Sequence, residues 1–249
     1  MGIVGCRTRD TLSHLWALQR KFLGESNPAT LETLTRLEQT YLEEGRLERD
    51  RGRFLHAKEI LARAEELTAQ HLRTYVAASH AEDRESFAIR KQLGIIKESQ
   101  GDYRTAEEVF RTLRGLIVRP QDGTGAAIPM VRSIISHIGY NLFQQHKYAE
   151  AEAALNDAVA FFDRPSRSEG EIRYNWEGVL GASLVAQKKY AAAEPRLLSS
   201  YKGRVEPNGP PSSEVVLFSK HEAVEWLVRL YEESGRLDEA AKWRVRLPE

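Results

Sequence analysis

The sequence predicts an all-α protein, an array of helix-turn-helix repeats with no β-sheet. Two observations predict this class: a short cassette that recurs along the chain, and apolar residues at helical spacing on both sides of each copy. The cassette is a turn residue, one spacer, an aromatic residue or Leu, two more residues, and Ala. Its copies begin at Gly52, Gly101, His146, Lys188 and Gly235. Self-similarity at a period of about 20–50 residues is typical of a stacked helical array, an α-solenoid.

Each copy of the cassette joins two amphipathic segments. In the second repeat, Leu93 and Ile96 precede the turn at helical spacing, and Phe110 and Leu113 follow it. The small Ala allows the two helices to approach closely, and the aromatic residue fills the turn. Because neither helix can bury its apolar face alone, we expect successive repeats to stack on one another.

The repeats follow one another from the N-terminus, and we expect one continuous solenoid over residues 1–249. Clusters of turn-forming residues at 119–125, 163–167 and 206–211 separate them. The predicted boundaries, after an N-terminal half-repeat at 8–23, are 29–79, 84–118, 128–162, 171–203 and 214–249.

The first repeat is irregular. Gly45 fits a turn, but Asp50 stands where the cassette Ala is expected, and Gly52 restarts the pattern seven residues later. Seven residues are about two helical turns, so an insertion of this length preserves the apolar face. We therefore predict a turn at Gly45 and a lengthened second helix that runs through Leu67 and Leu72.

The spacing of small residues resembles that of tetratricopeptide repeats (TPRs). Gly94, Gly139 and Gly181 each stand 12 residues before the cassette Ala, at the close-packing position of that family, whereas the last repeat has Val228 there. The resemblance implies a right-handed TPR superhelix of about five helix-turn-helix units. A side chain larger than Ala at these glycines is expected to overpack the helix contact.

Two stretches carry finer resemblances. Residues 23–117 are similar to repeats of the kinesin-light-chain type, and residues 171–249 to the repeats found beside bacterial serine/threonine kinases, although the chain has no kinase motif. One TPR subfamily clamps a peptide carboxylate with Lys and Asn. Lys91 occupies one such position here, but Ile95 replaces the Asn, so a co-chaperone role of that kind is not expected.

In the family that this chain resembles, the first helix of each repeat lines a concave groove. For the polar residues carried over to that groove, plain solvation remains the alternative; for Tyr140 and Trp226 the alternative is packing between repeats. Aromatic and Arg side chains are named because they are enriched at binding hot spots. The predicted groove residues are Arg36, Gln39, Lys91, Gln92, Ser136, His137, Tyr140, Asn175, Glu225, Trp226 and Arg229.

Composition excludes several classes of protein. Lys and Arg number 36 and Asp and Glu number 36, so the net charge is zero, which argues against a nucleic-acid binder. Cys6 is the single cysteine, which forbids an internal disulfide and predicts a cytoplasmic setting. No apolar run is long enough to span a membrane. The segment from Met1 partly resembles a myristoylation signal, but Cys6 stands where Ser or Thr is needed; a start within a longer repeat array is the simpler interpretation.

Residue sets that carry chemistry are missing from the sequence. No His-Glu-x-x-His motif occurs, and the glycines at 122–125 lack the features of a phosphate-binding loop. We therefore expect no cofactor, no metal and no enzymatic activity, but a scaffold or adaptor that binds a protein or peptide in its groove, with a regulatory role in signalling. The alternative is an accessory or unusual enzyme with a small-molecule pocket. If the protein self-associates, we expect it to do so through the terminal repeats. In the last repeat, Trp243 and Leu247 either cap the array or dock a second chain.

Overall fold

The computed structural model describes residues 2–79, 82–117, 128–156, 170–205 and 217–247. Within those residues the chain forms α-helices and no β-strand, which confirms the all-α prediction. The helices are α1 (Gly2–Leu23), α2 (Pro28–Asp50), α3 (Phe54–Ser79), α4 (Arg84–Ser99), α5 (Tyr103–Ile117), α6 (Ile128–Gln144), α7 (Tyr148–Asn156), α8 (Gly170–Ala186), α9 (Tyr190–Val205), α10 (Lys220–Glu233) and α11 (Leu237–Arg244).

The helices form two compact units: an N-terminal half, Met1–Leu116, and a C-terminal half, Ile117–Glu249. The single continuous solenoid over residues 1–249 stays a prediction. The clusters at 119–125, 163–167 and 206–211, which were predicted to separate repeats, lie outside the described residues.

All five cassette turns have the same backbone geometry. The turn residues adopt positive φ angles, from 60° at His146 and 61° at Lys188 to 80° at Gly101. The residue after each of them donates its N–H to a carbonyl five residues back, as Asp102 does to Lys97 at 3.0 Å. This is the Schellman arrangement that ends a helix at a left-handed residue. The recurring turn residue of the cassette is therefore the helix terminator.

The predicted packing glycines lie where paired helices nearly touch. A Cβ placed on Gly94 would lie 2.6 Å from Phe110 Cζ, and one on Gly139 would lie 2.5 Å from Leu155 Cδ2. Gly181 has the same relation to Leu197, at 2.7 Å from Cγ. Each glycine faces the residue 16 positions later, and the cassette Ala between them is buried in every repeat.

The prediction of a turn at Gly45 is wrong. Gly45 lies inside α2, and a Cβ placed on it would lie 2.6 Å from Leu61 Cγ. It is thus the packing glycine of the first repeat, 12 residues before the buried Ala57, and the turn is at Gly52. The predicted long second helix is present as α3, which has 26 residues against 15 in α5.

Successive repeats are joined through carboxylates of their second helices. Glu65 on α3 accepts hydrogen bonds from Lys97 at 2.7 Å and from Gln100 at 2.9 Å. Burial would raise the pKa of the Glu65 carboxyl, but these two bonds outweigh it and hold the pKa below its ordinary value. In the C-terminal half, Lys189 and Gln187 bond the carboxyl of Glu152 in the same way.

The last repeat is anchored by a third carboxylate and by an aromatic contact. Glu194 on α9 accepts hydrogen bonds from Arg236 at 2.7 Å and Tyr231 at 2.9 Å. Trp243 meets the ring of Tyr201 edge-on, with centroids 4.8 Å apart, and the Arg246 guanidinium lies over the indole. Trp243 is half-buried, and its role as a cap or as a docking residue stays a prediction.

Candidate binding surface

The predicted groove residues of the N-terminal half lie at or near its surface. Arg36 and Gln39 on α2 are exposed, and Lys91 and Gln92 on α4 are half-buried. The guanidinium of Arg36 makes no ion pair or hydrogen bond within the described part of the chain. This cation is therefore available to a ligand.

Reassigning Gly45 changes the register of the first repeat. In the corrected register, the residues equivalent to Lys91 and Gln92 are Leu42 and Glu43. The register used to choose Arg36 was therefore seven residues too early in the sequence. Because seven residues are about two helical turns, the error preserves the helix face and displaces the candidate along it. Arg36 lies on the intended side of α2 but nearer the start of the helix.

Three predicted groove residues of the C-terminal half are buried. Ser136, His137 and Asn175 are only 2%, 1% and 4% exposed. The backbone at Leu217 covers Asn175 and donates its N–H to Asn175 Oδ1 at 3.2 Å. The three side chains are therefore covered by other residues of the protein.

Aromatic side chains fill much of the same region of the C-terminal half. Trp226 lies 4.4 Å from Phe218 and 5.6 Å from Phe143, measured between ring centroids. Phe218 is buried against α8, where a Cβ placed on Gly178 would overlap the Phe218 ring. Trp226 and Tyr140 are half-buried and pack against the hydrophobic core, and a binding role for either residue stays a prediction.

The two remaining candidates of the C-terminal half are exposed and contact side chains one turn away along α10. Glu225 lies 3.3 Å from His221 Nε2, and Arg229 lies 2.7 Å from Glu233. Both are pairs at i, i+4 spacing on a helix surface, and such pairs contribute little stability and exchange readily with other partners.

The N-terminal half has an open cavity of about 380 Å³ beside Arg36. Such a volume lies at the lower end of the range of about 300–1,000 Å³ that is usual for ligand sites. Three helices of successive repeats supply its walls, so the stacking of repeats creates it. The lining residues are Pro28, Leu31, Glu32, Thr35 and Arg36 of α2, His71 and Tyr75 of α3, and Glu85 of α4.

Helix caps position the walls of this cavity. Asn27 caps α2 by accepting the N–H of Ala29 at 3.0 Å. Asp83 caps α4 in a capping box with Ser86, and its other oxygen accepts the hydroxyl of Tyr75 at 2.6 Å. This last bond ties the end of α3 to the start of α4. Donation to Asp83 raises the pKa of Tyr75 to about 12; the backbone bond from Ser86, followed by the Tyr75 hydroxyl, lowers the pKa of Asp83.

A buried hydrogen-bonded pair lies behind the cavity. His71 Nδ1 is 3.0 Å from Glu38 Oε1, with the two side chains 2% and 3% exposed. The carboxylate fixes the orientation of the imidazole ring, which lines the cavity. Sequence reasoning missed His71 and Tyr75, although the predicted extension of α3 past Leu72 was the available signal for both.

The cavity combines apolar walls with charges of both signs. Leu31 and Pro28 offer apolar surface, Arg36 offers an unpaired cation, and Glu32 and Glu85 offer carboxylates. Over the described ranges, no cluster of His, Cys, Asp and Glu is arranged to hold a metal ion. Nor does any described helix combine the length and the apolar character needed to cross a bilayer.

Comparisons with known proteins support the fold assignment. No protein-family model and no curated protein matches the chain. Among solved structures, the chain is similar to BtubC (BKLC) from P. vanneervenii, with a TM-score of 0.61, 14% identity, and coverage of 97% of this chain and 89% of that one. It is also similar to a Podosopora anserina putative kinesin light chain with nearly identical TPR-like repeats. That match has a TM-score of 0.55 and 18% identity, over 86% of this chain and 93% of that one.

At these identities the likeness establishes the fold alone. It agrees with the five Schellman turns and with the packing glycines at one register. The chain therefore has the fold of the TPR-like repeat proteins.

Proposed function

We propose that this chain is a non-catalytic scaffold that binds an extended segment of a protein partner at the Arg36 cavity of its N-terminal half. One observation carries the proposal: an open cavity between stacked repeats, beside a cation that the described residues leave unpaired. The C-terminal half offers less, because Ser136, His137 and Asn175 are buried there. A cytoplasmic setting and a role in signalling are part of the same proposal.

The cavity indicates the chemistry of the segment. An apolar side chain enters between Leu31 and Tyr75, where its burial contributes about 25 cal/mol per Å². A neighbouring carboxylate of the segment pairs with Arg36. Glu32 and Glu85 accept a basic residue on the other side. A segment of mixed charge around one large apolar residue therefore fits best.

Two threonines of α2 provide a matched test of this site. Thr35 lines the cavity and Thr40 does not, and both donate their hydroxyls to the carbonyl four residues earlier, at 3.0 and 2.8 Å. Thr35→Tyr should fill the cavity, whereas Thr40→Tyr makes a comparable change elsewhere on α2. Peptides selected from a phage-displayed library on the wild-type protein are then titrated against each variant whose melting curve is unchanged.

We expect Thr35→Tyr to raise the dissociation constants of the selected peptides by about thirtyfold, the effect of losing one hot spot of about 2 kcal/mol. Arg36→Ala should weaken the binding of acidic peptides most, and the Thr40→Tyr variant should bind the peptides as the wild type does. Equal binding by the two tyrosine variants would place the site elsewhere. Conversion of a small molecule by the purified protein would contradict the non-catalytic assignment.

A further inference from the structure

Helix α1 is apolar on two faces, and only one of them is covered. Leu12 and Trp16 are each 9% exposed and pack with Leu34 and Leu37 of α2. On another face, Leu15 is 42%, Leu18 41% and Phe22 71% exposed. A single exposed apolar residue is ordinary, but several along one helix face indicate an interaction surface.

The three exposed residues form one stripe. At about 100° per residue, Leu15, Leu18 and Phe22 fall within about 60° of one another around the helix axis. The centre of the stripe lies about 110° from the side that Leu12 and Trp16 bury. The stripe therefore lies beside the face that packs on α2, and its side chains remain exposed.

The charges beside the stripe indicate what covers it. Asp10 and Lys21 lie along the same edge, roughly three turns apart, and both are exposed. If two α1 helices pack antiparallel with Leu15 opposite Leu18 of the second copy, Thr11 lies opposite the second copy's Phe22. The same register brings Asp10 within one turn of the second copy's Lys21, and the pair recurs by symmetry. A parallel two-fold arrangement would place the two copies of this edge on opposite sides of the interface, so the pairing would be lost.

We propose that α1 is a self-association surface that pairs with α1 of a second copy of this chain, antiparallel and two-fold symmetric. Such an interface is self-complementary, since each contact occurs twice. Helix α1 is about 33 Å long, and among its described side chains the stripe occupies the second half, so the interface is smaller than the standard size of about 1,600 Å². Association is therefore weak and depends on concentration. The proposal is independent of peptide binding at the Arg36 cavity.

Sedimentation velocity over a concentration series tests the surface. Wild-type protein should shift from monomer to dimer as its concentration rises, and Phe22→Glu should remain monomeric. Phe54→Glu is the matched control, because Phe54 is 68% exposed at the start of α3 and lies off the stripe; it should dimerise as the wild type does. A wild-type protein that stays monomeric throughout, or equal loss of dimer in both variants, overturns the proposal.

Charge reversal tests the register. Lys21→Glu and Asp10→Lys should each weaken the dimer roughly threefold or more, because each creates two like-charge contacts. The double variant should restore it. A dimer that neither reversal weakens overturns the antiparallel pairing. Uptake of monomeric wild type, but not Phe22→Glu, by phosphatidylcholine vesicles would assign the stripe to a membrane surface and overturn the second copy as its occupant.

Discussion

Substituting Gly94 by Ala should destabilise the N-terminal half, against the usual preference of helices for Ala. The new Cβ would lie 2.6 Å from Phe110 Cζ and 2.8 and 2.9 Å from its Cε atoms. Carbon atoms pack favourably at about 3.5–4.0 Å, so the ring must retreat by roughly 1 Å. Phe110 is 0% exposed and surrounded, so the displacement strains its neighbours. Overpacking of this kind costs about 1–3 kcal/mol.

A second glycine isolates that cost. Gly115 lies on α5 of the same repeat, and a Cβ placed there meets nothing within 4 Å. Replacing a helical Gly by Ala otherwise gains up to about 1 kcal/mol, so Gly115→Ala should stabilise the protein. The gain is common to both variants, and their difference of about 1–3 kcal/mol in unfolding free energy therefore measures the overpacking alone.

Urea unfolding at 25 °C, followed by circular dichroism, measures the two variants. Equal m values for both variants would show that their midpoints can be compared directly. A thermal scan should show the same order, at about 2–4 °C per kcal/mol for a domain of 150–250 residues. If Gly94→Ala proves as stable as Gly115→Ala, the close helix contact inferred at the packing glycine is wrong.

Two further predictions concern the ends of repeats. Arg236, and to a lesser degree Tyr231, hold the pKa of the Glu194 carboxyl below its ordinary value of 4.5. The stability that this carboxylate contributes is therefore complete above pH 4.5 and is lost as the pH falls through the lowered pKa. Glu194→Gln should cost about 1 kcal/mol or less at neutral pH, and the cost should shrink as the pH falls below 4.5, measured by urea unfolding over a pH series; an undiminished cost in acid would contradict the linkage. Lys188 has a φ of 61°, in the left-handed region, so Lys188→Gly should gain about 0.5–1 kcal/mol. Lys189→Gly, one residue on, should instead lose stability, because it removes the ion pair with Glu152 and relieves no positive φ.

The repeat register was readable from the sequence because it depends on local chemistry. The left-handed turn residue, the cassette Ala and the packing glycine all lie within one helix pair, at fixed spacing. The error at Gly45 arose because Gly45 and Gly52 are seven residues apart, and two helical turns leave the apolar face unchanged. The buried Ala57, 12 residues after Gly45, was the feature that distinguishes the packing glycine from the turn.

Whether the candidate groove residues are exposed or covered could not be predicted in the same way. Asn175 is covered by the backbone of Leu217, 42 residues later, and Trp226 meets Phe143 from another repeat. Helical periodicity identifies which face a residue occupies, but not whether a distant segment closes over that face. The Arg36 cavity likewise depends on a bond between Tyr75 and Asp83, which joins two helices of successive repeats.

The distribution of polar contacts separates the scaffold from the surface that can bind. Glu65, Glu152 and Glu194 are committed to joins between repeats, where their bonds hold the carboxylates ionised. A charged group that already has partners must give them up to bind a ligand, and that loss offsets the new interaction. Arg36 has no such partner among the described residues, and it lies beside a cavity that is already open. A ligand that pairs with Arg36 displaces water rather than a protein partner, and we therefore propose the N-terminal half as the better place to search for the partner.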